Sequence, residues 1–293
     1  MSNVFRYLSY SKQAFHQKRN RLKQVTKQEQ LFLPIIAELR GEHPGVAARE
    51  LYLILRPEGI GRDKFEQLCF ANGYKLSRRR NSYRTTDSRG VIRFPNLLVG
   101  MELTGVNQAW ASDITYYQLA ERVYFLTFII DLFSRVIVGH QVSKRLTTEE
   151  TTLPALQKAI NTWGSACGLI FHSDGGGQYY SKAFLELTTR HQIRNSMCDM
   201  AYENPYAERI NGTIKNQYLK GYHPTSFETL VIQCERAVKN YNNIKPHSSL
   251  KKQSPMEFVR NLPAGGSSSP IDYFCNNSNS DDLHQKNHQS VRG

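Results

Sequence analysis

Apolar positions change their spacing along the chain, and each change marks a different kind of element. Between residues 28 and 73 the spacing predicts three short helices. Leu31, Leu33, Ile35, Ile36 and Leu39 mark the first, and a Gly-Glu-His-Pro-Gly turn at 41–45 follows. The second helix covers 47–55, with Leu51, Leu53 and Leu55, and Gly59-Ile60-Gly61 turns the chain into a third at 62–72. From Gln108 the pattern is that of strands, at 109–118, 123–130 and 135–142, joined closely enough to form an antiparallel meander. A helix at 147–162 is expected next, capped by Thr148 and carrying Leu153, Leu156 and Ile160 at helical spacing. A strand at 169–172, a helix at 181–190 and a strand at 192–197 succeed it. Asn204 and Pro205 have the character of a helix cap and first position. That helix is expected to reach residue 220, and a last long one spans 227–241.

The segments between these elements divide the chain into a basic N-terminal segment (1–27), a helical domain (28–74), a linker (75–100), an α/β core with its C-terminal helix (101–262) and a tail (263–293). The tail is rich in Gly, Ser and Asn and is expected to remain disordered. Charge is uneven across these parts. The 293 residues carry a formal net charge of +13. Residues 1–100 hold 19 Lys/Arg against 8 Asp/Glu, while the rest holds 19 against 17. Helix, short glycine turn, helix is the pattern of a helix-turn-helix, and it is equally that of a small bundle with no DNA role. The excess of positive charge favours DNA, with Arg62, Lys64 and Gln67 as candidate contacts on the last helix. Arg78, Arg79 and Arg80 in the linker are expected to lie along phosphates. The five cysteines form no Cys-x-x-Cys pair, which argues against a zinc site or a disulfide framework. With no long apolar run and no signal-peptide core, a cytoplasmic, nucleoid-associated setting is expected.

Three carboxylates in this core stand out: Asp113 in Trp110-Ala111-Ser112-Asp113-Ile114-Thr115, Asp174 in His172-Ser173-Asp174-Gly175-Gly176-Gly177-Gln178, and Glu208 in Asn204-Pro205-Tyr206-Ala207-Glu208-Arg209. Three strands, helix, strand, helix, strand, helix is the order of a ribonuclease-H-like mixed sheet with flanking helices. In that order Asp113 sits on the first strand and Asp174 just after the fourth, with Glu208 on a helix over the same sheet. Three acids so gathered can bind two divalent ions and serve a phosphodiester displacement. On a helical wheel Glu208, Asn211, Gly212 and Lys215 share one face, opposite Tyr206, Ile210 and Ile214. Lys215 is a candidate phosphate contact, though isolated lysines are commonly just solvated. Asp131 is expected to pair with Arg135, and Asp199 and Glu203 to be structural or exposed. His172 is expected in the core or behind the site, Gln178 and Tyr179 to position substrate, and the glycines at 175–177 to allow close backbone approach.

These motifs resemble the catalytic core of insertion-sequence transposases of the Asp-Asp-Glu, retroviral-integrase superfamily. Further resemblance lies in Ile130-Asp131-Leu132-Phe133-Ser134-Arg135, in Tyr241-Asn242-Asn243 with Pro246-His247-Ser248-Ser249-Leu250, and in Ser254-Pro255-Met256-Glu257-Phe258. The likeness covers roughly residues 30–260. It implies binding of the terminal inverted repeats of a mobile element and of target DNA, followed by nicking and strand transfer. It also implies two Mg²⁺ ions (or Mn²⁺ in their place) on Asp113, Asp174 and Glu208, and a homo-multimer on DNA. An upstream reading-frame product is a further expected partner. Two other readings remain: a binding protein with a degenerate core, and a structure-selective nuclease that cuts without joining. The interval from Asp174 to Glu208 is slightly short for the family, which keeps Glu203 as a rival ligand.

Overall fold

In the computed structural model the described residues are 11–76, 94–164, 167–198 and 204–263. The chain forms two compact units, Met1–Arg79 and Arg80–Gly293. In the first, helix α1 (Lys12–Glu42) starts at Ser11, whose hydroxyl accepts from the Ala14 amide at 3.0 Å. The expected N-terminal segment and first helix are thus one helix, and Pro34 lies inside it. Helices α2 (Ala48–Leu55) and α3 (Arg62–Ala71) pack edge to face through Tyr52 and Phe65. Ile36, Val46, Leu51, Phe65 and Cys69 are buried there. Arg40 ties the unit together by donating to the carbonyls of His43, Pro44, Val46 and Tyr74 at 2.6–3.3 Å.

The second unit is built on a five-stranded sheet with order β3-β2-β1-β4-β5. Strands β1 (Ala109–Leu119), β2 (Arg122–Asp131) and β3 (Ile137–Ser143) run antiparallel, while β4 (Ile170–Ser173) and β5 (Arg194–Met197) continue parallel to β1. This is the mixed sheet of the ribonuclease-H-like order. One face carries α4 (Thr152–Trp163) and α5 (Lys182–Arg190), packed on a core that includes Trp110, Ile129, Val138, Phe171 and Phe184. The helix α4 begins at Thr151 and not at Thr148, because the Thr148 hydroxyl bonds the Gln178 carbonyl instead.

On the other face lie α6 (Pro205–Thr213), a π-helical segment (Ile214–Leu219) and α7 (Phe227–Asn243), while α8 (Pro255–Arg260) adds Met256 and Val259 to the core of the first face. The capping boxes of α7 and α8 are complete, at Ser226 with Thr229 and Ser254 with Glu257. Where one continuous helix to residue 220 is expected, the chain widens into π geometry, and Ile214, Tyr218 and Leu219 are buried.

Strand β3 approaches α4 closely enough that only glycine fits at position 139. A Cβ there would stand 2.4 Å from the Ala155 carbonyl oxygen and 2.9 Å from the Ala159 Cβ. Gly139→Ala is therefore expected to force helix and sheet apart and to cost about 3 kcal/mol, read as a lower urea midpoint with an unchanged m-value.

Candidate active site

Asp113 and Asp174 meet because β1 and β4 are parallel neighbours. Ala111 pairs with His172, and two further steps along both chains reach the two acids. Asp113 is held from two sides. The Ile114 amide donates to its Oδ1 at 2.9 Å, and the Asn211 side-chain amide donates to its Oδ2 at 2.7 Å. Asp174 folds back onto its glycine loop, where the Gly176 amide donates to Oδ1 at 3.1 Å. A Cβ on Gly176 would lie 3.0 Å from that same oxygen, so the glycine clears room for the carboxylate. Burial raises Asp174, with the Gly176 amide opposing. Asp113 is pushed up to about 7, first by burial and then by the charges of Asp174 and Glu208. Glu208 is exposed in the first turn of α6.

Helix α6 and the π segment are strapped to β1 by four polar bonds, one of them from the Tyr117 hydroxyl to the Leu219 carbonyl at 3.4 Å. Asn204 donates to the Ser112 carbonyl at 2.9 Å, Asn211 to Asp113, and the Lys215 ammonium to the Thr115 hydroxyl at 2.9 Å. Asn204 is therefore not the helix cap that its position predicts; no side-chain cap bond is made there, while Pro205 does occupy the first turn. At the same helix end, the Arg135 guanidinium lies 3.8 Å from the centre of the Tyr206 ring. Arg135 adopts a left-handed backbone with φ 65°, which is costly for a residue with a Cβ. The sequence offered no signal for this stack or for the Asn204 bond, which join residues about seventy or more positions apart; for Asn211 it offered only the helix face shared with Glu208.

Several expectations are corrected. Asp131 does not pair with Arg135. It is 1% exposed and accepts from the Ser134 amide and hydroxyl at 2.7 and 2.6 Å and from the Asn107 amide at 2.8 Å. Tyr179 is buried, with its hydroxyl 3.0 Å from that of Ser112, so it supports β1 from behind and cannot touch substrate. Gln178 donates to the Leu146 carbonyl, and its own carbonyl accepts from Thr152. His172, by contrast, is in the core as expected, 2.9 Å from the Ser196 hydroxyl. In the first unit Arg62, Lys64 and Gln67 are exposed on α3, with Arg62 beside Asp63 and Lys64 3.5 Å from Glu29. Arg78, Arg79, Arg80, Asp199, Glu203 and the tail from 264 lie outside the described residues. Among the described residues Cys69, Cys167, Cys198 and Cys234 form no disulfide, and no helix is long and apolar enough to cross a membrane.

The donor set consists of carboxylate and amide oxygens, which suits a hard divalent cation. A cation among them would relieve the repulsion that raises Asp113. Among the described residues, however, no three acidic, His or Cys side chains are already gathered closely enough to hold an ion. The carboxylates lie near one another without forming a closed ligand set.

Two family profiles, both described as integrase core domain, match residues 104–202 and 189–255. The transposase InsF of insertion sequence IS3fB from Escherichia coli (strain K12) is 33% identical over 163 residues, covering 53% of this chain and 54% of that protein. The chain thus spans about half the length of the IS3 transposases that it matches. The uncharacterized 31 kDa protein of insertion element IS600 from Shigella sonnei is 30% identical over 217 residues, 72% of this chain and 79% of the relative. Among solved structures, the HTLV-2 integrase catalytic core domain in complex with magnesium aligns at TM-score 0.43 and 25% identity, over 52% of this chain and 94% of that one. With an integrase core running from 104 to 255 and an insertion-element relative matched over most of its length, the chain belongs to the insertion-sequence transposases of the DDE, retroviral-integrase superfamily.

Proposed function

We propose that this chain is a DDE transposase that binds the terminal inverted repeats of an insertion sequence and carries out metal-dependent strand cleavage and strand transfer. The observation that carries this reading is the meeting of Asp113 and Asp174 at the ends of the parallel neighbours β1 and β4, with Asn211 of the Glu208 helix bonded to Asp113. Sites that concentrate like charge at a cost to stability are functional-site candidates.

In this reading Asp113, Asp174 and Glu208 would hold two divalent ions, Mg²⁺ or Mn²⁺, which would supply charge stabilisation for a phosphodiester displacement. The protein's part is orientation. The Ile114 and Asn211 amides fix Asp113, and the Gly176 amide fixes Asp174. The polar straps to β1 and the Arg135–Tyr206 stack fix the helix that carries Glu208. Lys215, half-buried beside Thr115, is the phosphate contact in this reading; burial and then Lys220 hold its ammonium below the usual lysine range, with Asp113 opposing. The basic first unit, with Arg62, Lys64 and Gln67 exposed on α3 and Arg78, Arg79 and Arg80 beyond it, supplies DNA binding. Two ends must be joined together, so the active form is a homo-multimer on DNA, with an upstream reading-frame product as a further partner.

The test uses purified protein, Mg²⁺ or Mn²⁺, and labelled duplexes copied from the DNA flanking the gene. Wild type is expected to nick at a repeat end and join that end to target, and Glu208→Gln to do neither. Cutting without joining would replace this reading with a nuclease. Binding with neither reaction under both metals would leave a DNA-binding module or a chain dependent on its upstream partner.

A further inference from the structure

Asn211 lies one turn after Glu208 on the same face of α6, and it is 6% exposed. Its two polar atoms have different fates. Nδ2 donates to Asp113, while Oδ1 is buried and meets no hydrogen-bond partner among the described residues. The orientation of the amide is fixed by charge. Turned over, it would set its own oxygen against the Asp113 carboxylate and be repelled. A buried acceptor with no donor costs about 1–3 kcal/mol, so proteins rarely leave one without a use. Here the unmatched acceptor belongs to a side chain already bound to one acid and one turn from another.

We propose that Asn211 is a positioning residue for the divalent ion: it fixes Asp113 through Nδ2 and accepts, at Oδ1, a hydrogen bond from the ion's hydration shell. The assignment rests on reading the acidic trio as an ion site, and it deepens that reading by naming the group that orients the ion. Ions of this class keep several of their waters when bound to protein, and those waters are donors with no acceptor demand of their own. A neutral amide suits the role better than a further carboxylate, because Asp113 is already burdened by two like charges. The bland alternative is that Oδ1 holds an ordinary buried water and Asn211 only ties α6 to β1.

The two differ in what they predict for metal binding without DNA. The full chain, stripped of metal, is titrated with Mn²⁺ and free ion is counted by electron paramagnetic resonance. Asn211→Leu, which keeps the volume and loses both polar atoms, is expected to bind Mn²⁺ about 10–100-fold more weakly, the usual effect of losing a partner behind a metal ligand. Its Mn²⁺-induced rise in thermal midpoint should shrink in parallel. Asn211→Ser is too short to reach both Asp113 and the hydration shell, and should behave likewise; it decides the matter if the leucine variant does not fold. Folded variants with wild-type Mn²⁺ affinity would overturn the proposal, whatever their midpoints. The outcome separates from that of the parent reading. A wild type that takes up Mn²⁺ but neither nicks nor joins DNA removes the transposase activity and leaves Asn211 testable. A wild type that takes up no Mn²⁺ removes the ion site, and the role of Asn211 with it.

Discussion

Asp113→Asn is expected to abolish nicking and joining and yet to stabilise the metal-free protein at pH 8. The two effects share one cause. In the folded chain the carboxyl is pushed up to about 7 from an ordinary 3.8, by burial first and by Asp174 and Glu208 next. A raised acid binds its proton more tightly folded than unfolded. Its contribution to stability is therefore fully present below about pH 4, falls as the pH climbs from about 4 to about 7, and is gone above that. The full penalty at pH 8 is roughly 4 kcal/mol, at about 1.4 kcal/mol for each tenfold gain in proton affinity on folding. An asparagine carries none of it. The Ile114 amide still finds an oxygen there, and Asn211 can turn over to accept from the new amide. The expected thermal midpoints are thus nearly equal at pH 4, with the variant higher at pH 8. Saturating Mg²⁺ should reverse the order at pH 8, since only the wild type gains by binding it. A variant less stable than wild type at pH 8 without metal would sink the claim that like charge and burial strain this site.

The sheet and the acids were legible in the chain because their signals are local. β-branched and aromatic runs mark β1 to β3, and the observed strands fall within a few residues of those expected. The close approach of Asp113 and Asp174 follows once β1 and β4 are neighbours, which the order of elements implies. What sequence could not give is the polar strapping. Asn204 sits where a helix cap belongs, and its local preference is overridden by a carbonyl 92 positions away. Asp131 precedes Arg135 by one turn's distance, which suggests an ion pair. Three donors from Ser134 and Asn107 reach it first, and the arginine turns to Tyr206 instead. The helix through 220 had an acceptable wheel, but a wheel assumes one period. In the structure the period changes at Ile214, where Lys215 reaches Thr115 on the strand below. A π segment beside a site is a recurrent device for setting one side chain without moving the rest.

Asp131→Ala should be the most damaging single change outside the trio, for a reason that joins stability to function. The Asp131 side chain is buried at the end of β2, and burial raises it while the donors around it pull the other way. Truncation leaves the Ser134 amide and hydroxyl and the Asn107 amide without their acceptor. At about 1–3 kcal/mol for each group stranded in the interior, and with some relief by water, the loss is about 4 kcal/mol. For a unit of this size that corresponds to a midpoint lower by roughly 10 °C. Asp131→Asn keeps one oxygen for Ser134 but turns a donor towards Asn107, so it should cost about half as much. The functional consequence reaches further than the melting point. The Asp131 carbonyl accepts from the Arg135 amide, and the same turn holds Arg135 in its left-handed conformation over Tyr206, two residues from Glu208. Loosening the turn frees the first turn of α6. Strand joining by Asp131→Asn, assayed about 20 °C below its own midpoint so that the folded state dominates, should therefore fall while DNA affinity is kept. Joining at the wild-type rate under those conditions would show that Asp131 supports the fold alone and has no part in placing Glu208.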